Sequence, residues 1–390
     1  MRRNVLLGLL IAATLGIVGA VAAIDNSRTV VPEQVRVAIV RDSREVDLAI
    51  HGSYRLRDMA SGKIIGQGNF LTQSKVRLLG RGILMGLDVY PYKRLTIEPA
   101  KDASIIIDER PFRGEVTFIR TADNHITVVN DINVEDYIKG VLYHEVSHRW
   151  PMEALKAQAV AARTYALYSI NLAEPYDVTN DIYSQVYGGR DSERYRTDLA
   201  VDYTRAQVLT YDGKMIPAYF HATCGGMTED AKELWHILPD IPPLRSVPCS
   251  FCQNSPHYRW KKNFRLREIQ SALNLHGYKV GSIKDISIVD RDRSERIDHL
   301  KITQKNGAEL IIKGKDFRDL MGPNVVMSNN FDIDQKGYYV DLNGKGWGHG
   351  VGMCQWGALG MARQQFTYKQ ILAYYYPQSV LMNYHELHPK

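Results

Sequence analysis

Residues 144–148 read HEVSH. This matches H-E-x-x-H, the helical motif in which two histidines bind zinc and the glutamate between them is a general base. The same five residues allow a second chemistry, in which Glu145 alone moves protons. The helix around them is informative. With Val141 as origin, Tyr137, Ile138 and Leu142 form an apolar stripe centred at about 30°. Glu145 falls at about 40°, inside that stripe, while His148 and His144 lie towards its edge, near −20° and −60°. A carboxyl on an apolar face is costly to ionise, so burial raises its pKa and keeps part of it protonated near neutrality. Such a group can act as a general acid. A structural role is equally open, with Glu145 paired to Arg163 or Lys156 on the following helix. Against catalytic zinc, no third ligand is marked, and His148 falls in the last turn before Pro151.

The elements that position this stretch are legible. Asn133 can cap a helix, with Asp136 at its third position where negative charge is favourable. Pro151 ends that helix and suits the first turn of the next. The segment PMEALKAQAVAARTYALYSI (151–170) is rich in alanine and helical in spacing. Upstream, 35–130 is strand-like: VRVAIV, VDLAIHGSYRLRD, KVRLLGRGILM and RLTIEP carry β-branched residues in partial alternation. Turns are expected at 60–63 and 121–125, the latter joining GEVTFIR to HITVVN. Further on, 265–277 reads as a helix stopped by Gly277, and 299–314 as a hairpin turning at Asn306-Gly307. Thr367 and Gln370 form a capping box for a last helix.

The 390 residues carry a net charge of +6 without a basic cluster interleaved with aromatics, so nucleic acid is not an expected partner. Two arginines precede an apolar run from Val5 to Ile24. About 20 such residues can cross a bilayer core of roughly 30 Å, and the arginines orient it with its positive end inside. Residues 1–24 are thus expected to be a membrane anchor. GAVAA (19–23) would suit cleavage as a signal peptide. Either way, the chain beyond about residue 25 is expected outside the cytoplasm. The domains expected are a β-rich region, 31–130, and a mixed α/β catalytic domain, 131–382, making an α+β protein.

Several long motifs occur in order: HEVSHRWPMEALKAQAVAARTYAL (144–167), QVYGG (185–189), YFHATCGGMTED (219–230), SPHYRW (255–260) and GWGHGVGMCQWGALGMA (346–362). Together they resemble the stage II sporulation protein D (SpoIID) and LytB amidase-enhancer family. RPFRGEVTFI (110–119) and HITVVNDINVEDYIKGV (125–141) look like the part that precedes the family signature. The resemblance implies a lytic transglycosylase acting on peptidoglycan glycan strands, preferably stripped of their peptides. Glu145 would act as acid and then base, and no cofactor would be required. The departure from the family pattern is Val146-Ser147 after the glutamate. Arg163 stands at a position the family uses in its active site, either bonding sugar hydroxyls or tying the two helices together. Tyr187, His221, Thr223, Trp347 and His349 lie in the matching motifs and are expected to bind substrate. An N-acetylmuramoyl-L-alanine amidase is an expected partner, and a non-catalytic, glycan-binding amidase enhancer is the alternative function.

The four cysteines are Cys224, Cys249, Cys252 and Cys354. PCSFC (248–252) is a C-x-x-C. With Cys224 and either His221 or His257 it would make a structural zinc site. Outside the cytoplasm a disulfide competes, and Cys354 is expected to be merely buried. The zinc site of some family members lies near QVYGG, where this chain has no cysteine.

Overall fold

A computed structural model describes residues 33–181, 184–236 and 239–387. The run Val5–Ile24 lies outside these residues. Among the described residues no helix is long and apolar enough to cross a membrane.

The β-branched stretches of the first hundred residues pair into one large sheet. Across it run Val178–Thr179, Gln34–Ser43, Ile126–Asn133, Glu115–Arg120, Arg94–Pro99, Glu45–Asp58, Ile64–Leu79, Gly82–Met85 and Asp88–Tyr90. Ser104–Ile107 attaches beside the first half of Glu45–Asp58 and pairs in turn with Arg110–Phe112. Alternation decides which face is covered: Val46, Leu48 and Ile50 point into the core while their neighbours are partly exposed. The expected hairpin at 121–125 forms, Ile126 opposite Arg120 and Asp131 opposite Glu115. KVRLLGRGILM is two strands rather than one, because Gly80 takes φ 57° and reverses the chain between Leu79 and Gly82.

Strand Ile126–Asn133 leads directly into the helix Val134–Glu145, here α1. The Asn133 side chain caps it, accepting from the Glu135 N–H at 3.0 Å. The helix stops at Glu145, earlier than Pro151 alone would require. Val146 is extended, and 147–150 turn on a bond from the Trp150 N–H to the Ser147 carbonyl. The second helix, α2, spans Met152–Tyr168. Alanines at 154, 157, 159, 161, 162 and 166 leave it buried on nearly every side.

One face of α2 joins α1 and the sheet in a continuous core that includes Val128, Ile138, Leu142, Leu155 and Ala162. The expected domain border at 130/131 therefore falls within a strand and inside a single core. The other face of α2 meets a second core, built from the cysteines, Met353, Ile371 and Tyr375. A third core belongs to 259–345, a smaller unit of strands and two helices, Leu266–Leu275 and Gly314–Met321. It contains the expected hairpin, with strands Ile297–Gln304 and Glu309–Lys313. The capping box at Thr367 and Gln370 opens the helix Tyr368–Tyr375. The architecture is α+β, as expected.

Candidate active site

The end of α1, the start of the helix Gln355–Arg363, strand Phe220–His221, the glycine-rich loop 344–352 and the helix Gly314–Met321 surround one cleft of about 920 Å³. Glu145, the last residue of α1, lines it. Burial pushes the Glu145 carboxyl up to about 7. Two hydrogen bonds pull the other way, from the Gln355 amide at 3.3 Å and from the Val186 N–H. The residue is nonetheless only half-buried, since the cleft reaches it. A carboxyl of this kind can give up a proton near neutral pH and take one back.

The flanking histidines do not face a shared point with Glu145. His144 bonds through Nε2 to the Ser192 hydroxyl at 2.6 Å. His148 lies beyond the helix, its ring against Tyr143. Among the described residues, no group of side chains able to hold an ion includes His144, Glu145 or His148. The resemblance of HEVSH to a zinc helix ends at the spelling.

The walls are aromatic and imidazole-rich. Tyr143, Trp150, Tyr165, Tyr219, Trp235, His257, Trp347 and Trp356 all line the cleft. Trp347 is held by reciprocal backbone bonds with Thr223 (2.8 and 3.0 Å), and its ring meets His257 edge-on at 4.4 Å. His349 accepts the Val351 N–H at Nδ1, 3.1 Å away, and burial brings its pKa down to about 4. His221 bonds the Val351 carbonyl through Nδ1 at 3.1 Å, and burial holds it well below the usual imidazole range. The neutral ring therefore keeps its proton on Nδ1. Its Nε2, buried and without a hydrogen bond, remains an acceptor. From the smaller unit come Lys315, Arg318 and Asp319.

Of the residues expected from sequence, Glu145, His221, Trp347 and His349 come together in the cleft. Three do not line it. Arg163 is fully buried, and its guanidinium grips Glu135 with two bonds, at 3.0 and 2.6 Å, leaving it nothing to offer a substrate. The tie between the two helices is real, but its acid is Glu135, not Glu145. Tyr187 is buried against Phe112 and Tyr137, with its hydroxyl on Asn130 at 3.1 Å. Thr223 is buried and bonded to the Ser255 hydroxyl at 2.7 Å. The three cysteines expected as zinc ligands do not meet either histidine. Cys224, Cys249 and Cys252 gather with Cys354, while His221 and His257 stay in the cleft wall.

Sequence reasoning missed Gln355, although it lies in the motif GWGHGVGMCQWGALGMA, because its partner is 210 residues away. Trp235, Lys315 and Arg318 carried no signal at all.

Fold and cleft define an α+β protein with a half-buried acid at a helix end opening into one cleft. Comparison with known proteins gives its family. The family model described as stage II sporulation protein matches residues 122–211. A second model, a domain of unknown function, matches 250–352 and so covers the smaller unit. The chain is 40% identical over 279 residues to an uncharacterized protein of Brachyspira hyodysenteriae, covering 71% of this chain and 73% of that one. It is 31% identical over 300 residues to stage II sporulation protein D of Bacillus subtilis, covering 72% and 82%. It is 28% identical over 293 residues to the amidase enhancer of the same bacterium, covering 63% of this chain and 40% of that protein. The chain belongs to the stage II sporulation protein D family.

Proposed function

We propose that this protein is a lytic transglycosylase of bacterial cell-wall peptidoglycan. The observation that carries the reading is the Glu145 carboxyl, raised to about 7 at the wall of a cleft of about 920 Å³. Protonated Glu145 gives its proton to the glycosidic oxygen between N-acetylmuramic acid and N-acetylglucosamine. The bond breaks with oxocarbenium character at the muramoyl C1. The C6 hydroxyl of the same sugar attacks C1, and the Glu145 carboxylate removes its proton. The products are a 1,6-anhydromuramoyl end and a free N-acetylglucosamine end. One carboxyl serves both steps, so the reaction calls for no metal or organic cofactor.

Other features suit this substrate. Trp347 and Trp235 line the cleft, and aromatic side chains of this kind suit stacking against sugar rings. Lys315 and Arg318 suit strands whose peptides have been removed, because each muramoyl lactyl group then bears a free carboxylate. Such a substrate requires the cleft to lie outside the cytoplasm, with residues 1–24 as anchor or cleaved leader.

The test is muropeptide analysis of stripped glycan strands digested with the purified protein. Wild type should release 1,6-anhydro ends, and Glu145→Gln should lose at least about 100-fold in rate. Equal product, or none, from both proteins overturns the reading. A second reading is favoured by the relative named amidase enhancer. In it the protein binds glycan and stimulates an N-acetylmuramoyl-L-alanine amidase without cutting. Glu145→Gln would then keep both binding and stimulation.

A further inference from the structure

The four cysteines reach one place from three parts of the chain. Cys224 follows strand Phe220–His221, Cys249 and Cys252 come from one loop, and Cys354 caps the helix Gln355–Arg363. All four are buried and none is in a disulfide. Their sulfur atoms all lie within 4.8 Å of one another, Cys224 and Cys252 at 3.5 Å. Four thiolates around one zinc, at about 2.3 Å each, stand about 3.8 Å apart at the corners of a tetrahedron. An iron–sulfur cluster would need them farther apart, because two or four irons and their sulfides must sit between.

The surroundings favour anionic sulfur. The Cys224 N–H points at the Cys354 sulfur at 3.2 Å, and the Gly357 N–H at the same sulfur at 3.3 Å. The Tyr375 hydroxyl lies 3.1 Å from the Cys249 sulfur. Hydrogen-bond donors aimed at ligand atoms are the outer partners that metal thiolates need. Apolar groups, among them Ala218, Val351 and Met361, enclose the rest.

We propose that Cys224, Cys249, Cys252 and Cys354 bind one zinc ion in a closed tetrahedral site, and that this ion holds the floor of the cleft in place. With four protein ligands no position is open, so the ion is structural. It fastens the segment leaving His221 to the helix whose first residue, Gln355, bonds Glu145. The ion would thus act on the cleft through the residues it positions, without touching substrate.

Metal analysis of the purified full chain, grown with zinc and prepared without chelator, tests this. About one zinc per chain is expected, together with four thiols that react in denaturant and release the zinc as they do so. Cobalt put in place of zinc should give the visible absorption of a tetrahedral thiolate complex. Cys354→Ser should lower the zinc content, but a misfolded variant would lose metal too, so the wild-type stoichiometry decides. Zinc well below one per chain, or two disulfides found by mass spectrometry of the unreduced protein, overturns the proposal. Glu145→Gln should carry the same zinc as wild type, so this result is independent of the reaction proposed above.

Discussion

A carboxyl that titrates near pH 7 sets its own working range. In the proposed reaction Glu145 must start protonated, so the rate should fall as pH rises through about 7. A pH–rate profile on stripped strands checks this, and a flat profile from pH 6 to 9 would contradict it. Gln355→Ala removes a bond that favours the anion, so the alkaline limb should move to higher pH. The same shift has a sign for stability. A carboxyl raised on folding costs nothing below the pKa it has in the unfolded chain. The cost grows through the window from there to about 7 and is complete above it. Glu145→Gln should therefore be more stable than wild type at pH 8, by on the order of 3 kcal/mol at most, and near equal at pH 4. Denaturant unfolding at the two values measures it.

Among elements, the pairing of α1 with α2 matters most. Glu135 and Arg163 form a fully buried ion pair, reinforced by the Val201 carbonyl and by a Glu135 bond to the Ala206 N–H. Removing one partner strands the other charge. Glu135→Gln or Arg163→Met should cost about 3–5 kcal/mol in unfolding experiments. Replacing both by apolar residues of similar volume should recover most of that loss. If Arg163 bound sugar instead, Arg163→Met would spare stability and raise KM. This was hard to read beforehand, because Arg163 stands 18 positions after Glu145 in a motif and 28 after its true partner. Helical phase put Glu145 on a buried face, but phase carries no information on which acid a distant arginine meets. The caps at Asn133 and Thr367, the hairpin turns and the alanine-rich helix were legible because each depends on neighbours within four residues.

For the whole molecule, the cleft is shared between two bodies with separate cores. Glu145, His221, Trp347 and Gln355 come from the larger, Lys315 and Arg318 from the unit at 259–345. That division explains what the sequence hid. The lysine and arginine reach the cleft only through the packing of a helix whose own pattern is that of an ordinary amphipathic segment. Cys354 joins the other cysteines across 130 residues from Cys224. Lys315→Ala should weaken binding of stripped strands, and more so at low salt, since this half-buried cation, already shared with Asp316 and Asp319, acts on the strand through a screened field. Trp347→Ala should weaken it by about 1 kcal/mol, roughly fivefold, at any salt. Sedimentation with insoluble stripped glycan at two salt concentrations separates the two.

Because α1 terminates at Glu145, the acid stands at the negative pole of that helix's macrodipole. That field opposes a negative charge on the side chain. In the proposed reaction, once the proton had gone to the leaving sugar, the new anion would be in an environment that presses it to recover one. The helix terminus would thereby favour the second proton transfer of that reaction.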